Sequence, residues 1–379
     1  MIRSRLAFVI GLVSCAWACS GDPEKGATVD DGEGNGESGA GGSGSGEVPP
    51  PNGTGGLGFN DFPIGDGGTG GTSAEYVEQN LIELRIEPAD AELDVPLGES
   101  RTLAYKAYGR YAADPDVEVE LTERTVFYVP DNYLVAGFPD TGEGTLATLL
   151  PGVSGEPSQR GGLLTVRAQA ANSDGSVTTT TTTLNVKLAG AVMPEAGSNE
   201  ADPALPGPSD LAAAFSGTAD AAYAPVLVYP NDGVLLPPNL GRLEVHFQPG
   251  SVQNTLFEIR FSSASTDLRY YTRCYSDPDF FEAGACAFTL ADDVLASLAS
   301  SNQGTGPVTL SVRGADEAGH FGASSEFEIE FAEQRIDGAV YYWAASGGTS
   351  IVRFDFGSGQ AEPEVFVAPA DVPGNSPQK

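Results

Sequence analysis

Apolar residues alternate with polar ones over much of the chain between Leu81 and Phe331, and this period of two limits the possible folds. Leu84 and Ile86 alternate with charged residues near the start of this stretch, and Ile329 and Phe331 do so near its end. Short runs of this kind, separated by Gly, Pro and Asp, are typical of half-buried strands. The sequence therefore predicts an all-β fold with β-sandwiches in tandem.

The first group of alternating runs occupies residues 80–188 and predicts one sandwich. Turn signals such as Asp174-Gly175 separate its strands. The stretches LRIEPADAELDVPLGESRTLAYKAYG and GLLTVRAQAANSDGSVTTTTTTLNV, in this order, resemble bacterial Ig-like modules of the invasin/intimin type. That resemblance implies a pattern of strands and carries no catalytic signature. The tryptophan expected in the middle of such a module is absent, and we expect Phe127-Tyr128 to fill its place.

The second group of alternating runs occupies residues 224–332 and begins with PVLVYPNDGVLLPPNLGRLEVHFQPG. It resembles a fibronectin type III or related Ig-like sandwich. Apolar residues between Leu290 and Leu298 have helical spacing, which predicts a short helix with Asp292 as its cap. The Pro- and Ala-rich residues 189–223 predict a joint between the two sandwiches.

Two cysteines of the second sandwich, Cys274 and Cys286, predict a disulfide because pairing is the default for cysteines of an exported protein. They enclose the loop YSDPDFFEAGA. In one interpretation its aromatic rings and acidic groups form a binding tip, and in another the rings pack beneath the loop. A third alternative makes the acidic groups a calcium site. The candidate binding residues are Asp277, Asp279, Phe280, Phe281 and Glu282.

Residues 1–19 have the layout of a secretion signal. Arginines precede a short apolar run that is well below the roughly 20 residues needed to span a bilayer. The tetrapeptide LVSC, ending at Cys15, resembles a bacterial lipobox, and AWAC, ending at Cys19, is a second, poorer match. The resemblance implies that one of these two cysteines is acylated and becomes the mature N-terminus. The alternative is an ordinary cleaved signal with incidental cysteines.

Residues 20–79 predict a disordered linker. They are rich in Gly, Ser, Pro and acidic residues and contain few apolar ones. A segment of this composition cannot bury enough apolar surface to fold, and its Gly/Ser stretches behave as flexible coil. We expect it to hold the sandwiches away from the membrane.

The charge and the histidine content exclude several function classes. The chain has 52 Asp and Glu against 19 Lys and Arg and a formal net charge of −33, so we expect no nucleic-acid partner. Its only histidines are His246 and His320, and no G-x-S-x-G elbow is present. The sequence therefore predicts a non-enzymatic protein without a cofactor.

Residues 333–379 begin a further β pattern. Strands are predicted at Ala339–Trp343, Ile351–Phe356 and Glu364–Val367. As hairpins they resemble the first blade of a β-propeller, an arrangement similar to surface lipoproteins of myxobacterium-like bacteria. A single partial blade cannot bury its faces, so this resemblance implies an N-terminal fragment or a truncated product. The alternative is that these strands extend the second sandwich. No CxxCH motif is present, so no haem is assigned.

These patterns predict an exported, lipid-anchored protein of the cell envelope that displays β-sandwiches for adhesion or ligand binding. The predicted partners are the membrane, through the N-terminal lipid, and a surface protein or polysaccharide. In the alternative interpretation the sandwiches are the scaffold of a truncated β-propeller that binds, hydrolyses or carries haem.

Overall fold

The alternating runs form strands in a computed structural model of the chain. In the run that begins at Leu81, Leu84 and Ile86 point inward and are 7% and 3% exposed. The predicted signal (1–19) and the predicted linker (20–79) lie outside the described residues. The structure describes residues 80–139, 143–150, 158–198, 201–275, 284–344, 350–356, 363–368 and 371.

Strands account for most of the regular structure in the described part of the chain, and the predicted all-β class is confirmed. Before Met193 the described residues form the strands β1 (Leu81–Glu87), β2 (Ala91–Val95), β3 (Thr102–Ala104), β4 (Lys106–Tyr111), β5 (Asp114–Glu120), β6 (Thr125–Tyr128), β7 (Ala136–Gly137), β8 (Thr145–Thr148), β9 (Gly162–Ala171) and β10 (Val177–Val192).

We call the described residues before Met193 the first half and those after it the second half. Two α-helices lie among the strands of the second half. The described residues after Met193 form α1 (Pro208–Ala214), β11 (Val226–Tyr229), β12 (Val234–Leu236), β13 (Glu244–Gln248), β14 (Leu256–Ser262), β15 (Thr266–Thr272), β16 (Cys286–Thr289), α2 (Asp292–Asn302), β17 (Val308–Ala315), β18 (Phe321–Ala323), β19 (Phe327–Phe331), β20 (Gly338–Ala344), β21 (Ser350–Phe356) and β22 (Glu364–Val367).

Packed sheets enclose the core in both halves. In the first half, the sheet β1-β4-β5 and the neighbouring strands β10, β9 and β6 contribute their buried faces to one hydrophobic cluster. Phe127 stacks on Phe138 within this core, with ring centroids 5.6 Å apart. In the second half, the sheet β11-β13-β16 packs on the larger sheet, where the rings of Phe247 and Phe257 are 5.0 Å apart.

The helix predicted around Leu290–Leu298 is present as α2, but its predicted cap is wrong. Ala291 occupies the N-cap position, and no side chain caps the helix. Asp292 and Asp293 lie in the first turn, where negative charge interacts favourably with the helix dipole. The acidic residues therefore stabilise the helix start from within the first turn rather than from the cap.

Strand β10 joins the two halves of the structure. Its residues Val177–Val186 pair antiparallel with β9, and Leu188–Val192 pair in parallel with β15 of the second half. A ten-stranded sheet therefore runs across the boundary predicted at residue 188. Residues 189–192, predicted as the start of the joint, instead continue the strand because β15 supplies their hydrogen-bond partners.

We call the pairing of Leu188–Val192 with β15 the seam between the two halves. Polar contacts reinforce it. The backbone N–H of Leu188 donates to the carbonyl of Ser265 at 2.9 Å, and the N–H of Gly161 donates to Ser301 Oγ at 2.8 Å. The backbone approach is so close that a Cβ on Gly161 would lie 2.4 Å from the Ser265 carbonyl oxygen. Only glycine fits this position without moving the backbone.

We expect Gly161→Ala to lower the free energy of unfolding by about 1–3 kcal/mol, because the new methyl group overpacks the seam. Urea denaturation followed by circular dichroism measures this loss, and both halves should unfold in one shifted transition. The matched control is Gly137→Ala, since a Cβ there meets no atom within 4 Å. Two separate unfolding transitions, or equal losses of stability in the two variants, would contradict the claim that the seam couples the unfolding of the two halves.

The remainder of the predicted joint, residues 193–223, packs against the second half instead of serving only as a spacer. Helix α1 begins at Pro208, and its buried Leu211 joins Phe215 in a second hydrophobic cluster. The other buried members of that cluster are Leu256, Tyr271, Ala315 and Phe321. The Ala-rich composition indicated a linker because small residues outnumber the two large apolar residues, Leu211 and Phe215, that anchor the segment.

Arg313 of β17 binds the segment that contains Phe215 through hydrogen bonds. Its Nη1 donates to the Phe215 carbonyl at 3.0 Å, and its Nε donates to Glu258 Oε1 at 2.8 Å. The Glu258 side chain is fully buried. Burial, with the Glu258 carboxylate nearby, raises the pKa of Tyr271 to about 12. Arg313 is thus the cation that compensates a carboxylate withdrawn from water.

We expect Arg313→Ala to lower the free energy of unfolding by about 3 kcal/mol, because it leaves the buried Glu258 carboxylate without its cation. The matched control is Arg85→Ala, whose ion pair with Glu118 is exposed and should therefore contribute much less to stability. Adding Glu258→Gln to Arg313→Ala should recover part of the loss. Equal losses for the two arginine variants in chemical denaturation would refute this account.

Candidate functional site

The predicted cysteine pair is joined in the structure. Cys274 and Cys286 form a disulfide, with their Cα atoms 5.0 Å apart. Cys286 is buried in β16, where it pairs with Phe247 of β13. Beside it, Tyr275 forms an isolated bridge with Ala287. The base of the enclosed loop is therefore fixed to the sheet β11-β13-β16.

The candidate lipidation and binding residues lie outside the part of the chain that the structure describes. The lipidation candidates Cys15 and Cys19 lie outside the described residues. So do all the candidate binding residues of the disulfide loop, which are Asp277, Asp279, Phe280, Phe281 and Glu282.

An exposed aromatic surface lies on the C-terminal sheet β20-β21-β22. Tyr341 and Trp343 share one face of β20, since they are two positions apart, and they are 51% and 63% exposed. Phe366 of β22 is 52% exposed, and its ring is 4.9 Å from that of Tyr341 in an edge-to-face arrangement. We call this surface, together with Arg353, Asp355 and Glu364, the tail face.

Charged groups stand beside the rings on the tail face. Arg353 pairs with Tyr341 across the strands, and its guanidinium carbon lies 6.0 Å from the centre of that ring. Its Nη2 is 2.5 Å from Asp355 Oδ2, and its Nη1 is 3.4 Å from Glu364 Oε1. The hydrogen bond with Asp355 is the main cause that raises the pKa of Arg353, so the guanidinium stays charged.

The opposite face of this sheet turns toward the second sandwich. It contains Ala344 and Val352, each 7% exposed. Phe354 lies over Gly241, and its ring would touch a Cβ there at 3.6 Å. Asn239 accepts from the backbone N–H of Ile336 and donates to its carbonyl. These contacts cover part of the opposite face, where Val340 stays 44% exposed, and they leave the tail face in solvent.

The two histidines occupy contacts that stabilise structure. His246 Nε2 lies 2.9 Å from a carboxylate oxygen of Glu244. His320 Nδ1 lies 2.9 Å from Asp316 Oδ2, and its ring stacks on Tyr223. Across the described residues, no group of three His, Cys, Asp or Glu side chains is placed to hold a metal ion. No helix in the described part of the chain is long and apolar enough to cross a membrane.

A polar cleft of about 680 Å³ lies at the seam between the two halves. Its walls include Asn185, Ser263 and Asn302. Asn185 donates to the Ala264 carbonyl, and Ser263 donates to Asn302 Oδ1 at 2.6 Å. These side chains are already engaged with each other and with the backbone, so their role is to hold the seam.

No family model matches the chain, and no curated protein matches it. Among solved structures, the chain is similar to the fibronectin(III)-like modules of Clostridium thermocellum CbhA, with 14% identity over 66% of this chain and 95% of that one and a TM-score of 0.19. It is also similar to a tetra-tandem repeat from the extending region of a large adhesion protein, with 14% identity over 69% of this chain and 55% of that one and a TM-score of 0.21.

A third similar structure is from a 1.5-MDa bacterial ice-binding adhesin, with 12% identity over 74% of this chain and 77% of that one and a TM-score of 0.20. The chain spans little more than half of the adhesion-protein repeat structure. Their TM-scores are low, and the similarities carry no information about the function of this chain.

The sequence predicts the three strands of the C-terminal sheet but not its exposed aromatic face. The signal was present in Val340-Tyr341-Tyr342-Trp343, where large apolar residues occupy both faces of a single strand. One face of such a strand can pack on the protein, and the other is left for solvent or a ligand.

We expect reduction of the Cys274–Cys286 disulfide to lower the free energy of unfolding by about 3 kcal/mol, since it releases a loop of about a dozen residues. Urea denaturation with and without a phosphine reductant measures the loss, and mass spectrometry verifies reduction. The double variant Cys274→Ala/Cys286→Ala is the control and should not respond to the reductant. An unchanged midpoint in the fully reduced wild-type chain would show that the crosslink contributes nothing.

Proposed function

We propose that the protein is a non-enzymatic binding protein of the bacterial cell envelope, held by a lipid on Cys15 or Cys19, that attaches the cell to a surface ligand. The observation that carries the proposal is the exposed aromatic tail face. Tyr341, Trp343 and Phe366 are each more than half exposed on one sheet face. Grouped aromatic residues on a protein surface mark interaction sites, because their exposure to water has a free-energy cost that binding removes.

The N-terminal residues support the anchoring part of the proposal. LVSC and AWAC are the two lipobox-like sequences, and either would place an acylated cysteine ahead of the linker 20–79. A Gly/Ser-rich coil of that length has a root-mean-square span of roughly 45 Å, which carries the sandwiches clear of the membrane surface. Stable anchoring needs two lipid chains, and lipoprotein acylation supplies more than one.

The charge of the chain restricts the ligand. A net charge of −33 repels nucleic acids, anionic lipids and other polyanions, which leaves a surface protein or an uncharged polysaccharide as the partner.

The alternative proposal is that the sandwiches are the scaffold of a β-propeller that binds, hydrolyses or carries haem. The order β20-β21-β22 favours it, since this antiparallel meander needs one more strand to form a four-stranded blade. The coding DNA beyond the Lys379 codon distinguishes the two proposals. Further blades in frame support the scaffold, and an immediate stop codon refutes it.

The proposed function is tested by displaying the full chain on a bacterium that processes lipoproteins. Palmitate labelling should mark the wild-type chain, and either Cys15→Ser or Cys19→Ser should abolish the label. Cells that display the chain should adhere to immobilised polysaccharides or matrix proteins better than cells without it. Absence of label in the wild type would refute the anchor, and equal adhesion of both cell types would refute the binding role.

A further inference from the structure

We propose that the tail face binds the sugar rings of an uncharged polysaccharide. This inference rests on the proposed binding function and assigns that function a site and a ligand class. The rings that make the contact are those of Tyr341, Trp343 and Phe366, and the polar partner is Arg353 with its two carboxylates.

The geometry of the rings fits an extended ligand with flat apolar patches. Tyr341 and Trp343 project from one strand with their Cα atoms about 7 Å apart, as strand geometry requires for positions two apart. Phe366 adds a third ring from β22, 4.9 Å from Tyr341. A pyranose ring has an apolar C–H face that packs on an aromatic ring, so two successive sugars of one chain can lie across Tyr341 and Trp343, while Phe366, edge-to-face on Tyr341, borders the site.

The charged groups between the rings favour a sugar over a dry protein partner. A dry protein surface that covered Tyr341 would also withdraw Arg353, Asp355 and Glu364 from water, and the desolvation of these charges opposes binding. Sugar hydroxyl groups both donate and accept hydrogen bonds. They can therefore bind the guanidinium and the carboxylates while the C–H faces cover the rings.

The charge balance of the tail face favours an uncharged sugar chain over an anionic one. One guanidinium, that of Arg353, faces the two carboxylates of Asp355 and Glu364. The whole chain carries a net charge of −33. A uronic acid or sulfated polymer would meet repulsion both at the site and from the protein as a whole.

The tail face is also held in shape before any ligand arrives. The buried Ala344 and Val352 lie on the opposite face, and Phe354 rests over Gly241 of the second half. On the tail face, the ring of Tyr341 packs beside Arg353 and Phe366. A preformed platform loses little conformational entropy on binding, which is how a small surface achieves useful affinity.

Affinity electrophoresis of the full chain tests this inference. Gels contain hydroxyethylcellulose, xyloglucan or galactomannan as uncharged probes and polygalacturonate as the anionic probe. We expect retardation by at least one uncharged polymer, and Trp343→Ala and Tyr341→Ala should each weaken it at least tenfold. The control variant is Tyr133→Ala, because Tyr133 is 67% exposed in the first half, away from the tail face.

Tryptophan fluorescence locates the binding site independently of these variants. The chain has two tryptophans, and Trp17→Phe leaves Trp343 as the only reporter. The retarding polymer should shift or quench the emission of this variant with the same affinity that electrophoresis gives. Retardation without a fluorescence change, or a Trp343→Ala chain that still binds as wild type, would overturn the assignment of the site.

The remaining outcomes separate this inference from the proposed function. No retardation by any uncharged polymer, or stronger retardation by polygalacturonate, overturns the ligand class. If adhesion of displaying cells persists in that case, the proposed function stands with another ligand. Self-association of the pure chain that Trp343→Ala abolishes would instead make the tail face a contact between two copies, which also overturns the inference.

Discussion

The hydrogen bonds that strand β10 makes with both halves of the protein are the constraint on which the rest of the structure depends. Its first ten residues, Val177–Val186, complete the sheet of the first half. Its last five, Leu188–Val192, pair with β15 of the second half. The orientation of the halves is therefore set by strand register, and a one-residue slip would turn the buried side chains of β10 outward.

Local patterns in the sequence predicted the strands well and their partners poorly. Period-two alternation identifies a half-buried strand because the signal is contained in a few neighbouring residues. The parallel pairing of Leu188 with Thr266 depends on residues far apart in the chain, and no local pattern records it. For the same reason residues 189–192 resembled a joint, since their small side chains gain a strand conformation only from β15.

The edge of the first half shows a second limit of alternation. Val117 alternates with acidic residues, which predicts an inward position, yet it is 45% exposed. Strand β5 lies at the edge of the sheet β1-β4-β5, and its pairing with β4 shifts between Arg110 and Tyr111. The pattern therefore identified the strand and the inward position of Val119, but not the direction of Val117 beside the shift.

The candidate site could be predicted only in part because exposure is a property of tertiary structure. The sequence shows that both faces of β20 are apolar, but only the contacts of Phe354 and Ile336 with the second half decide which face is covered. That docking leaves Trp343 in solvent and places Arg353 beside Tyr341.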